Sequence, residues 1–220
     1  MRAPRAGAEV DFELTEDQRA FQQTAREFAA GELAPHAARW DAEGIFPRET
    51  LAKAGELGFC GLYASPDHGG LGLSRLDAAL IFEEMAAACP STTAFLTIHN
   101  MATWMVSEFA RPEVAAEWCP GLTAGSRLAS YCLTEPGAGS DAASLKTSAR
   151  LDGETYLLNG SKAFISGAGA TDVLVVMPGL SAATTNAEMP PGPSPPVRAI
   201  TTSTSVAPAP EMKALEPLRR

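Results

Sequence analysis

Apolar residues along this chain change their period once, near residue 120, and the change divides it. From Thr15 to about Leu33 they recur at helical spacing, with Phe21, Ala25, Phe28 and Ala29 on one stripe. Thr15-Glu-Asp-Gln18 has the form of a capping box at the start of that helix. Pro47 suits a first helical turn and predicts a shorter helix through Leu57, which Gly58 ends. Ser65 to Leu73 is a glycine-rich connector. Ser74 and Asp77 cap the next helix, whose Leu76, Leu80, Ile81, Phe82 and Met85 cover nearly every face, so neighbours are expected to enclose it. Thr92 to Phe109 predicts a second enclosed helix, and Arg111-Pro112 opens a short one that reaches about Trp118.

Beyond Pro120 the period shortens to two. Leu128 to Thr134 reads as a strand, and Leu145, Thr147, Ala149 and Leu151 alternate with polar residues. Asp152-Gly153 is a hairpin turn, Thr155 to Leu158 returns, and Asn159-Gly160 marks a further turn. Asp172 to Met177 is a last, β-branched and apolar strand. Helices followed by consecutive strands predict the α+β class: an N-terminal all-α helical domain over 14–122, then a partial antiparallel β domain over 123–177. Residues 1–13 are expected to be a flexible N-terminus. The final 43 residues, 178–220, hold nine of the 17 prolines and no aromatic residue, so a disordered Pro/Ser/Thr-rich tail is predicted there.

Composition narrows the function classes. A net charge of −9 with no basic stripe argues against sequence-independent nucleic-acid binding. No apolar run is long enough to predict a transmembrane segment. Cys60, Cys89, Cys119 and Cys132 form no CxxC pair, which predicts buried, reduced thiols, and no metal site is assigned. Met1 to Val10 has no clear form of a transit peptide.

The chemistry concentrates in two polar turns, Tyr131-Cys-Leu-Thr-Glu-Pro-Gly-Ala-Gly-Ser140-Asp141 and Asn159-Gly-Ser-Lys-Ala-Phe-Ile-Ser166. Gly137-Ala-Gly139-Ser-Asp-Ala142 follows a strand and fits a dinucleotide fingerprint, but a hairpin comes next where a Rossmann unit needs a helix. Asn159-Gly-Ser-Lys162 lacks the spaced upstream glycine of a P-loop. On residue types alone, plain tight turns in a β domain and a binding wall both remain open.

Over about residues 14–177, and most specifically in those two segments, the chain resembles the acyl-CoA dehydrogenase family, flavoproteins that oxidise acyl-CoA thioesters. The resemblance implies FAD, contacted by Tyr131, Cys132, Leu133, Thr134, Gly139 and Ser140 from the first segment and by Phe164, Ile165 and Ser166 from the second. Ser140 is also implied to meet the acyl-CoA substrate. Apolar residues with a few aimed hydroxyls, such as those of Thr134 and Ser166, suit an aromatic plate with polar edges. An electron-transfer flavoprotein partner, a homo-oligomer and a mitochondrial matrix location follow from the same resemblance. Ser91-Thr-Thr-Ala, Ile98-His-Asn-Met101, Gly72-Leu-Ser-Arg-Leu-Asp77 and Ala38-Arg-Trp-Asp41 are similar to the subgroup acting on short branched acyl-CoA.

Ile98, His99 and Met101 admit two readings, an acyl-pocket lining or a buried helix with a satisfied histidine, so His99 is given no catalytic role. Glu83 and Glu84 are expected to face solvent or a subunit contact. Past Met177 comes Pro178-Gly-Leu-Ser, where the family continues toward a C-terminal helical domain carrying its general-base glutamate. With that domain expected to be absent, no catalytic residue is assigned. Weak FAD binding and no activity of the chain alone are expected. The alternative is a non-catalytic partner that associates with full-length subunits.

Overall fold

The computed structural model describes residues 13–152, 155–179, 199–200 and 204–206. Helix α1, Glu16–Phe28, starts on the expected capping box: Thr15 Oγ1 accepts from the Gln18 N–H and the Gln18 side chain accepts from the Thr15 N–H, both at 3.1 Å. A single π-helical turn, Ala29–Leu33, leads to α2, Ala37–Glu43, which Gly44 ends in the left-handed region. Sequence patterning does not mark α2, because it spans seven residues and His36 gives no side-chain cap. Helix α3, Arg48–Glu56, follows Pro47 as expected, with Gly58 at φ +78° just past its end.

Helix α4, Arg75–Ala88, opens on the Ser74–Asp77 capping box. It is less enclosed than its composition implies: Ala78, Ile81 and Met85 are buried, while Leu76 is 57% exposed. Helix α5, Pro90–Phe109, is the central element, with Phe95, Leu96, His99, Asn100, Ala102 and Thr103 all buried. Helix α6, Pro112–Thr123, runs past Pro120, beyond the predicted end at Trp118. The proline removes one intrahelical donor, but fully buried Cys119 and Leu122 on the same turns hold the helix in place.

Two clusters form the interior. Phe28, Leu33, Leu51, Ile81, Met85 and Leu96 join α1, α3, α4 and α5. Ala102, Val106, Cys119, Leu122 and Ala129 join α5 and α6 to strand β1, Ala129–Cys132, so the strand region is built onto the helices rather than tethered to them.

The α+β class holds, and the strand pairing is mixed rather than antiparallel throughout. Strand β2, Ser148–Asp152, pairs antiparallel with β3, Thr155–Lys162, from Ser148↔Asn159 to Asp152↔Thr155. Strand β1 instead pairs parallel with β4, Val173–Val176, from Ala129↔Val173 to Cys132↔Val176. The long excursion between them supplies the crossover that a parallel pair requires. Asn159-Gly160 is not a turn, since β3 runs through it to Lys162. A side chain at Gly160 would collide with Thr147, so glycine there permits close packing rather than chain reversal.

The predicted tail falls mostly outside the described residues, as does the predicted flexible N-terminus apart from Glu13. Within the tail, Ala199–Ile200 (β5) and Thr204–Val206 (β6) are short strands that pair parallel with β3. An open strand edge supplies unsatisfied backbone groups that outweigh weak local preference.

Candidate functional site

Strand β1 delivers the first segment. After buried Cys132 the chain leaves the sheet at Leu133 and closes a tight turn, with Glu135 N–H donating to Ala138 O at 2.7 Å and Ala138 N–H donating to Glu135 O at 3.1 Å. Pro136 and Gly137 stand exposed at its tip. An added Cβ at Gly137 would meet nothing within 4 Å, and at Gly139 only Thr134 Cγ2 at 3.8 Å. The chain's own packing therefore does not demand glycine here; both positions leave open space beside the backbone. Close approach by a bound group uses such space.

The second segment runs antiparallel to the end of the first. Ala163 N–H donates to Thr134 O at 2.9 Å, and Ser130 Oγ donates to Ser166 O at 2.6 Å. These bonds bring Tyr131–Thr134 against 163–166. Gly139 and Ser140 lie beyond the turn, with Ser140 exposed and no bond joining it to the second segment among the described residues. Ile165 is buried, Ser166 is exposed, and Tyr131, Leu133 and Thr134 are half-buried.

Phe164 is the unusual residue. It is the sole non-glycine at positive φ among the described residues, at 57°, and its side chain is 73% exposed. Left-handed backbone costs an L-residue about 1–2 kcal/mol, and an exposed ring recovers little of that by burial. Such strain is held by its surroundings. Gly167, at φ +80°, leaves no room for a side chain beside the Phe95 ring of α5. Arg48 Nη1 donates to Ala170 O at 2.6 Å and its Nη2 pairs with Asp172 Oδ2 at 2.5 Å, while Asp172 Oδ2 also accepts from Leu128 N–H at 2.8 Å. The loop presenting Phe164 is thus fastened at both ends.

Beneath the two segments lies an ion pair that pattern reading missed. Lys162 Nζ reaches Glu135 Oε1 at 2.8 Å, with side chains only 5% and 6% exposed. The same ammonium donates to Leu133 O and Met177 O, each at 2.7 Å. Glu135 further accepts from Lys146 N–H at 2.7 Å and Thr147 N–H at 2.9 Å. Burial pushes the Glu135 carboxyl up, but the hydrogen bonds from Lys162, Thr147 and Lys146 outweigh it and hold the group at about 2. Thr147 acts through its N–H, because its buried hydroxyl has no hydrogen-bond partner. In the sequence Lys162 falls just past a predicted turn, with no local mark of burial; its partner lies 27 positions away, so the topology was needed to find it.

Cys132 is pushed up to about 11 by burial, with Lys162 offsetting part of this, so it stays a neutral thiol at the end of β1. Cys60, Cys89 and Cys119 are likewise buried and unpaired, as expected. His99 is a satisfied core histidine: Nδ1 accepts from Ala129 N–H at 3.0 Å, which places the ring proton on Nε2, 3.0 Å from Leu122 O. Glu83 is exposed, and Glu84 pairs with Arg26 at 2.7 Å, linking α4 to α1.

Comparison with known proteins agrees with this geometry. The acyl-CoA dehydrogenase N-terminal domain matches residues 15–126, and the middle domain of the same family matches 130–190, past the Met177 limit read from the sequence. Mitochondrial isobutyryl-CoA dehydrogenase of Bos taurus is 54% identical over 164 residues, 74% of this chain and 39% of that protein. Butyryl-CoA dehydrogenase from Megasphaera elsdenii superposes with a TM-score of 0.69 at 32% identity, over 76% of this chain and 45% of its own. PigA with FAD and proline superposes with a TM-score of 0.71 at 29% identity, over 76% and 44%. The chain belongs to the acyl-CoA dehydrogenase family. It spans about two fifths of the length of the curated relatives it matches.

Proposed function

We propose that this chain supplies one wall of an FAD site in a dehydrogenase acting on a short branched acyl-CoA, isobutyryl-CoA, in valine catabolism in the mitochondrial matrix. Phe164 carries the proposal: an aromatic ring held exposed on strained backbone, in a segment joined to Thr134 through the Ala163 N–H, with open backbone at Gly137 and Gly139 on the other segment. Those features fit a flat aromatic group with polar edges. Phe164, Ile165 and Leu133 supply apolar contact to the ring system, and Thr134 and Ser166 supply donors at its rim. Ser140, on the exposed side of the turn, is assigned to the acyl-CoA. The chemistry FAD supplies when bound is acceptance of the hydride lost from the acyl chain. The identity to a branched-chain relative supports the substrate, and electron-transfer flavoprotein and homo-oligomeric assembly belong to the same reading.

Glu135 takes no part in proton transfer, since Lys162 and two N–H groups hold it ionised and buried. The 220-residue polypeptide by itself is expected to give no turnover of isobutyryl-CoA with an electron acceptor. Its FAD should be lost on gel filtration yet detected by fluorescence titration. Stoichiometric retained flavin contradicts the weak-binding part; no flavin response at any concentration contradicts the wall.

Phe164→Gly separates stability from function. Relieving the left-handed backbone is expected to leave stability unchanged or raise it by about 1 kcal/mol, while the flavin response weakens. A variant that loses stability shows the ring to be packed rather than presented.

A further inference from the structure

Both halves of the site meet at Lys162. Its ammonium carries three donors and meets Leu133 O, Glu135 Oε1 and Met177 O. Leu133 is where the first segment leaves β1, Glu135 begins its turn, and Met177 follows β4, while Lys162 itself immediately precedes Ala163. Glu135 extends the tie through the N–H groups of Lys146 and Thr147 to the entrance of β2. In a buried setting a displaced donor or acceptor has no water to replace its partner, so each bond resists movement of the others. The cage therefore does more than hold strands together: it connects the turn bearing Gly137 to the loop bearing Phe164.

We infer that the Lys162–Glu135 pair is the positioning element of the cofactor wall, setting the separation between the Thr134 side and the Phe164 side; this rests on the flavin reading above. Both side chains are buried, 5% and 6% exposed, so neither is presented to a bound group. They act through the backbone they hold.

A pair that merely stabilises the fold behaves differently from one that positions. Removing one partner leaves a buried charge, but removing both charges often restores stability. The experiment uses the full 220-residue chain, with FAD as the probe in fluorescence titration and thermal unfolding measured in parallel. K162M is expected to lower both the unfolding temperature and FAD affinity. The K162M/E135Q double variant should recover most of the unfolding temperature while FAD affinity stays about tenfold weaker than in the unchanged chain, a loss near 1.4 kcal/mol. Amide exchange at Ala163 and Thr147 should also quicken in the double variant, with α5 still protected.

Recovery of FAD affinity together with stability overturns the inference. If the unchanged chain gives no FAD response, the flavin reading fails and amide exchange decides the positioning role: unchanged exchange at Ala163 in the double variant overturns it, and faster exchange supports it. If the double variant does not fold, E135Q alone decides, with unaltered FAD affinity overturning the inference and weakened affinity supporting it.

Discussion

Replacing Lys162 by methionine is expected to lower the free energy of unfolding by about 3–5 kcal/mol, the usual cost of breaking a buried ion pair from one side. Three groups lose a partner at once: the Glu135 carboxylate, left with only its two backbone N–H donors, and the carbonyls of Leu133 and Met177. The Glu135 carboxylate is enclosed, its side chain only 6% exposed, so water does not readily replace the lost ammonium. A whole domain is stabilised by only about 5–15 kcal/mol, so this one change removes a large share. The unfolding temperature should fall by roughly 6–20 °C, taking about 2–4 °C per kcal/mol for chains near this size. Urea unfolding checks it. A loss under about 1 kcal/mol, the range of exposed pairs, shows that water reaches the cage.

The second large effect is with acid. Burial lowers the His99 imidazole from 6.5 to about 4, and the hydrogen bond to the Leu122 carbonyl offsets only part of this. Its folded pKa lies below its unfolded one, so between 6.5 and about 4 the unfolded chain binds more protons. Stability is full above 6.5 and is lost as pH falls through that window. Protonating Nδ1 also breaks its bond from Ala129 N–H, the point where β1 meets α5. A shift of this size corresponds to a few kcal/mol, on the order of 3. Glu135 adds a later loss, from 4.5 down to about 2, as its carboxylate takes up a proton and leaves the cage. His99→Gln should flatten the dependence of unfolding free energy on pH between 6.5 and 4.5 while leaving the steeper acid limb. An unchanged slope in the variant assigns the upper window to another group.

Helix starts were legible because they depend on neighbouring residues: Thr15 with Gln18 and Ser74 with Asp77 carry their caps within one turn. The fate of Pro120 and Asn159-Gly160 was not, since each local break signal is overridden by distant contacts, Cys119 and Leu122 in one case and Thr147 in the other. The parallel partner of β1 was hidden for the same reason, as nothing in a strand's period states which strand it meets. The two site segments were visible as motifs, but not the strain at Phe164 or the ion pair beneath them. Lys162 passed as part of a failed phosphate-loop pattern, and its burial became evident only once β3 was placed beside Leu133. His99 stood between two readings until Ala129 and Leu122 satisfied both ring nitrogens.

The most direct test of a shared cofactor wall is the amide spectrum of the isotopically labelled chain during FAD titration. Shifts concentrated at 131–141 and 162–167, with α1 through α4 unmoved, are the result this account predicts. Shifts centred on the helices, or an unaltered spectrum at saturating FAD, contradict it.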